Sequence, residues 1–269
     1  MITTTVNDTL EQPLISVLHS DGWRGGLGNL MRKEFGQWWG TRSWWIQTLI
    51  WLILLNGVTT LVMLEAPMTA GELAGLAVQT FLLVGATAIG IGVVLSIQGA
   101  VVGEKELGTA AWVMSKPASR ASFVLAKLLA NTVGFLVTAV AIPSIVFIVQ
   151  ARLLTTAPLD YTPFALGVAV VALSVVFYVV LTIALGCMFK GRGPVAGIGI
   201  GLILVGQFFK ESLPLSVVLV TPWLLGDVAS SVALASPPDF NRMVPIIVTA
   251  VATVALTFVA VWRFGREEF

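Results

Sequence analysis

Six long stretches of this chain contain no charged residue: Trp44 to Leu64, Leu73 to Val102, Leu128 to Ala151, Tyr161 to Phe189, Pro194 to Phe209 and Met243 to Trp262. A bilayer core about 30 Å thick needs about 20 apolar residues of helix to cross it. Each stretch therefore reads as a membrane span, the fifth a short one, and Pro143 is expected to kink the third. Alternation of apolar and polar residues dominates none of them, which argues against a barrel. Composition agrees. Charged residues make up 11% of the 269, against about 25% in soluble domains, so a soluble enzyme is excluded. The expected fold is all-α and polytopic, with six transmembrane helices.

Ser212 to Gly226 is apolar too, but Pro214 and Pro222 break it and Asp227 closes it. It reads as a re-entrant or interfacial segment inside an external region, 210–242. Lysine and arginine placement supports this count. With the amino terminus inside, only Arg152, Lys210 and Arg242 of the 15 basic residues fall outside. That is a strong positive-inside bias, and a seventh span would move Arg263 and Arg266 to the outer side. The expectation is a multi-pass protein of the cytoplasmic membrane with both termini cytoplasmic. Residues 1–23 read as a cytoplasmic tail without a secretory signal, and 24–269 as a single transmembrane domain.

Two cytoplasmic segments stand out. Leu27, Leu30, Met31, Phe35 and Trp38 recur at helical spacing, with Arg32, Lys33, Glu34 and Gln37 on or beside the opposite face. This pattern predicts an amphipathic helix lying in the membrane interface, either a passive anchor or a lipid-attracting one. The second segment is GEKELGTAAWVMSKPASR, Gly103 to Arg120. Glu104 and Glu106 are expected near a helix start, where acids are favoured, and Pro117 should end that helix. Trp112, Val113 and Met114 form an apolar patch. Either it docks another protein or Trp112 rests at the lipid interface.

The run GEKELGTAAWVMSKPASRASFVLAKLL resembles the segment between the second and third spans in ABC transporter permeases of the type-two export family. Glu104, Glu106, Gly108, Thr109, Pro117, Ser119, Arg120 and Lys127 match that pattern position by position. MRKEF at Met31 to Phe35 is similar to the family's amino-terminal connecting helix, which brings in Arg32, Lys33 and Glu34. TPWLL at Thr221 to Leu225 resembles the element before the last span, and WRFGREEF the closing tail.

The resemblance implies a permease subunit that pairs with a second such subunit, identical or similar, and docks on a separate cytoplasmic P-loop ATPase. The coupling loop, 103–122, is implied to make that contact through Glu104, Lys105, Glu106, Gly108, Thr109, Trp112, Pro117 and Arg120. No G-x-x-x-x-G-K-[ST] run occurs in the sequence, so no phosphate cradle is encoded here; ATP and magnesium are expected on the partner, and this chain is expected to bind no cofactor of its own. Gly193, Gly197 and Gly201 repeat every four residues in the fifth span. The repeat allows close helix approach, either at the dimer interface that the resemblance implies or inside one subunit.

Catalytic alternatives find little material. There is one histidine, His19, and one cysteine, Cys187, which leaves no metal or nucleophile–base set. Glu267 and Glu268 are expected outside any cavity. A net charge of +1 leaves no nucleic-acid footprint. No ionisable residue falls at mid-span, which argues against an ion-coupled secondary transporter. Asn56, Gln79, Gln98, Asn131 and Gln207 are the polar groups within spans. They either line a pathway or bridge helices, and their lack of charge suits an apolar or amphipathic cargo. The second-ranked reading is a non-transporting scaffold or signalling partner of an ATPase.

Overall fold

The computed structural model describes residues 24–65, 68–115, 118–155 and 158–267. His19, Lys116, Pro117 and Glu268 lie outside them, so the expected helix stop at Pro117 is not addressed. Among the described residues every regular element is helical. Six helices are long and apolar enough to cross a membrane, and the expected count stands.

The chain begins with α1 (Leu27–Trp39), followed by the first long helix, α2 (Ser43–Glu65). Next come α3 (Ala70–Glu106), the short α4 (Thr109–Met114), and α5 (Arg120–Leu154). Then follow α6 (Tyr161–Met188) and α7 (Arg192–Phe209). Two further helices, α8 (Leu215–Val218) and α9 (Leu225–Ala233), precede the last long helix, α10 (Met243–Gly265). Odd and even crossings alternate in direction, so the start of α2, the end of α3 and the end of α10 share one end of the bundle with α1.

Helix α6 is apolar on all sides, as a central helix must be. In its most apolar stretch 72% of residues are buried, against 22% for α7 and for α10. Helices α3, α9 and α10 pack around it. Phe81, Phe147 and Phe164 stack at 4.5 and 5.1 Å, tying α3, α5 and α6 together. Outward-facing apolar side chains such as Ile53, Leu153 and Phe258 remain exposed. Such a surface belongs against lipid, which is as apolar as they are.

Helices α2 and α5 each carry a π-helical turn, Leu52–Asn56 and Leu136–Ala141. Pro143, with no N–H to give, follows the second turn directly. Asn56 Nδ2 donates to the Pro143 carbonyl at 3.2 Å, and Gln150 Nε2 donates to the Asn56 carbonyl at 2.9 Å. These bonds tie α2 to α5 beside the two widened turns.

Between Phe209 and Met243 the chain does not cross. α8 is a single turn, a 3-10 turn occupies Pro222–Leu224, and α9 packs on α3 and α6. The prolines do break the segment, and the inserted structure extends beyond Gly226 to Ala233. Trp223 lies flat on α7 because Gly206 has no Cβ: one built there would meet the indole at 2.1 Å. Its Nε1 donates to the Leu202 carbonyl at 2.9 Å.

Candidate functional site

At the α1 end, three consecutive residues in the last turn of α3 leave in three directions. A helix turns about 100° per residue, so this divergence follows from geometry. Glu104 Oε1 accepts from Lys127 Nζ of α5 at 2.7 Å and from Lys33 Nζ of α1 at 2.8 Å. Lys127 Nζ also donates to Glu34 Oε1 at 2.9 Å. Lys105 Nζ donates to the Cys187 carbonyl in the last turn of α6 at 3.0 Å and pairs with Glu267 at 3.2 Å. Glu106 pairs with Arg192, the first residue of α7, at 3.4 Å. One short run thus holds α1, α5, α6, α7 and the tail after α10.

Lys127 is 2% exposed in its side chain. An isolated buried ammonium is costly, and two carboxylates are what make it tolerable. Together Lys33, Lys127, Glu34 and Glu104 balance two positive and two negative charges. Burial opposes the charge on Lys33, but Glu104 and Glu34 outweigh it and hold the ammonium above the ordinary lysine value. The tail is fixed beside this cluster. Phe264 stacks on Phe123 at 4.7 Å with rings 5° apart, and Arg120 donates to the Gly265 carbonyl at 2.5 Å.

Three sequence expectations change here. Glu104 and Glu106 end α3 instead of starting a helix; the dipole disfavours acids there, and their cationic partners offset that cost. Glu104 turns inward, so its carboxylate is not presented to an outside partner. Glu34 lies on the packing face of α1 with Leu30 and Trp38, buried at 4% exposure, because it answers Lys127. Glu267, expected outside any cavity, is held between Lys105 and Arg263.

The remaining coupling-loop residues divide by exposure. Gly108 adopts φ 69°, which favours glycine, and this turn breaks α3 from α4. Thr109 Oγ1 donates to the Glu104 carbonyl at 3.1 Å, capping α3. Leu107 is 77% and Trp112 63% exposed. Leu107 was not singled out in the sequence, because its exposure follows from the Gly108 turn. Arg32 is exposed on α1.

A cavity of about 670 Å³ lies between α3, α6, α7 and the α8–α9 segment. It follows α3 from Gln79 to Ile91, roughly 18 Å at 1.5 Å per residue. Gln79 and Gln207, two polar residues of the spans, line it, and Thr87 donates to Gln207 Oε1 at 3.3 Å. Asn56 and Asn131 bridge helices instead; Asn131 Oδ1 accepts from Trp38 Nε1 at 3.1 Å. Lys210 pairs with Asp227 at 2.5 Å at the rim, with Glu211 beside them. A second groove of about 590 Å³ runs between α2 and α3 and shares Ala88 and Ile91 with the first. A third pocket, about 510 Å³, reaches the charged cluster and shares Ser43, Gln47 and Ser96 with the groove. A broken furrow therefore follows α3 from one end of the bundle to the other.

A Cβ at Gly193, Gly197 or Gly201 would meet nothing within 4 Å. Their stripe faces away from this chain, and close packing inside the subunit is made by Gly199 against Val94 and by Gly206.

No protein-family model matches the chain. It is similar to an uncharacterized transmembrane protein of Bacillus subtilis strain 168, YxlG, at 26% identity over 180 residues, covering 65% of this chain and 67% of that protein. Together with the six helices, this likeness makes the chain a multi-pass membrane protein.

Proposed function

We propose that this chain is the permease subunit of an ATP-driven ABC exporter in the cytoplasmic membrane. Its α1 end faces the cytoplasm and docks there on a separate P-loop ATPase, which binds the ATP and magnesium. The chain itself carries no catalytic site. It works as a pair with an identical or similar subunit, and its cargo is apolar or amphipathic.

The observation that carries this reading is the junction of α3 and α4. Leu107 and Trp112 project beside a run, Glu104 to Glu106, whose three side chains grip four other helices and the tail. A push on α4 is therefore felt at once by α1, α5, α6 and α7. Such rigid connection is what a switch between discrete arrangements needs. Glu104 serves as a positioning residue in this scheme, while Leu107, Trp112 and the outer edge of Glu106 form the contact.

The test is co-purification with the ATPase from the native membrane. Replacing Leu107 and Trp112 together by Glu removes exposed apolar groups, which leaves folding within about 0.5 kcal/mol. Loss of a central aromatic anchor at an interface costs about 2 kcal/mol or more. The recovered ATPase should therefore fall by more than about tenfold. Undiminished recovery, with hydrolysis still responding to this subunit, would remove α4 as the docking element. Recovery of the wild-type chain without any ATPase would bring the scaffold reading forward.

The open glycine stripe is assigned to the second subunit. Because Gly197 touches nothing in its own chain, Gly197→Leu should leave the monomer fold intact and shift the dimer toward monomer. Native mass spectrometry reads this directly; an unchanged dimer places the interface elsewhere.

A further inference from the structure

The cavity between α3, α6, α7 and the re-entrant segment has a chemistry of its own. Ser174 and Tyr178 stand one turn apart on α6, are 2% and 4% exposed, and both line it. Neither hydroxyl has a hydrogen-bond partner among the described residues. Ser144 and Thr249 also keep unpartnered hydroxyls away from this cavity, whereas Thr48, Thr59, Thr138, Thr182 and Thr253 donate to the carbonyl four residues back. Because both residues line the cavity, their hydroxyls are open to hydrogen bonds from whatever enters it.

The rim carries an imbalance of charge. Lys210 is matched by Asp227, and Glu211 then leaves one carboxylate in surplus. Between rim and hydroxyls the wall carries Leu83, Ile91, Ile203 and Trp223, interrupted by Gln79, Thr87 and Gln207. Aromatic faces attract cations, most strongly where water is thin.

Resting on the permease reading, the geometry points to a cationic amphiphile as the occupant of this cavity. Its positive head lies at Glu211 and Asp227, its apolar body follows α3, and a hydrogen-bonding group along that body meets Ser174 and Tyr178. An anionic ligand is disfavoured by the same surplus carboxylate, and a wholly apolar one would leave both hydroxyls unpaired.

The test is binding of rhodamine 6G to the purified full-length chain in phosphatidylcholine nanodiscs, read by fluorescence polarisation against empty discs. Fluorescein serves as the anionic comparison and Nile red as the neutral one. Rhodamine 6G should bind saturably, and the other two should not exceed the empty-disc signal. Glu211→Gln and Asp227→Asn should each weaken binding by about fivefold, as expected for a partly exposed charge pair. Lys210→Gln should strengthen it, a change of opposite sign that general loss of fold cannot produce. Equal binding of fluorescein or Nile red, or unchanged affinity in both acidic variants, would overturn the proposal. The ATPase is absent from this assay. Loss of cation selectivity with ATPase recovery intact therefore removes only the ligand class, whereas failure of ATPase recovery leaves the binding result standing.

Discussion

Lys127→Met should destabilise the protein by about 3–5 kcal/mol, the cost of leaving buried charges without their partner. In this variant Lys33 alone faces Glu34 and Glu104, and Lys33 is 39% exposed in its side chain. The loss corresponds to a fall of about 10 °C in melting temperature for a chain of this size. Cys187 supplies the readout: it is the single cysteine of the chain and is fully buried close to the cluster. A thiol-reactive fluorophore therefore reports opening of this region during a thermal ramp. Adding Glu34→Gln to Lys127→Met restores the charge balance, and part of the lost stability should return. If the double variant melts below the single one, the cluster is not held together by charge compensation.

The second large effect is expected at Gly134. A Cβ there would lie 2.4 to 2.6 Å from three atoms of the Trp38 ring. The indole has nowhere to go, because Asn131 holds its Nε1 and Phe135 meets it edge-on at 5.2 Å. Gly134→Ala should thus force Trp38 out, at the 1–3 kcal/mol typical of overpacking, or about 2 kcal/mol here. Trp38 is the main apolar anchor of α1 on α5, so the consequence is local. Trypsin should cut after Arg32 and Lys33 faster by about thirtyfold, since cleavage tracks the opening equilibrium. Unchanged cleavage would mean that the ion pairs alone retain α1. The two variants together separate packing from charge in fixing the same helix.

The long helices were legible because a span is a local property: about twenty uncharged residues announce themselves wherever they lie. The charged end was not legible in the same way. Lys127 and Glu34 are 93 residues apart, and nothing in either neighbourhood shows that they meet. The absence of charge in Leu73 to Val102 set an early end for the second span, yet α3 continues to Glu106. It continues because tertiary partners neutralise acids that a free helix end would reject. Gln79 and Gln207 stood out by polarity within apolar runs, and both line the cavity. Ser174 and Tyr178 did not stand out, since small hydroxyls in a spanning helix ordinarily bond to their own backbone. Only their place in the cavity wall, visible once α6 is seen in place, sets them apart. The glycine stripe is an intermediate case. Its spacing suggested close contact, and the structure shows that nothing in this chain makes that contact.

The grip of Glu104, Lys105 and Glu106 on their neighbours bears on any attempt to transplant the loop at 103–122 between related chains. A graft that begins at Gly103 would import acids and a base while leaving behind Lys33, Lys127, Arg192 and Glu267, to which they are matched. The recipient would inherit mismatched charges in the interior and misfold for reasons unrelated to docking. A graft that starts at Leu107 exchanges the exposed Leu107 and Trp112 together with the small buried face of Ala110 and Val113, and the matched charges stay with their own scaffold. A graft junction that keeps the matched set intact therefore lies after Glu106, at the turn that Gly108 makes.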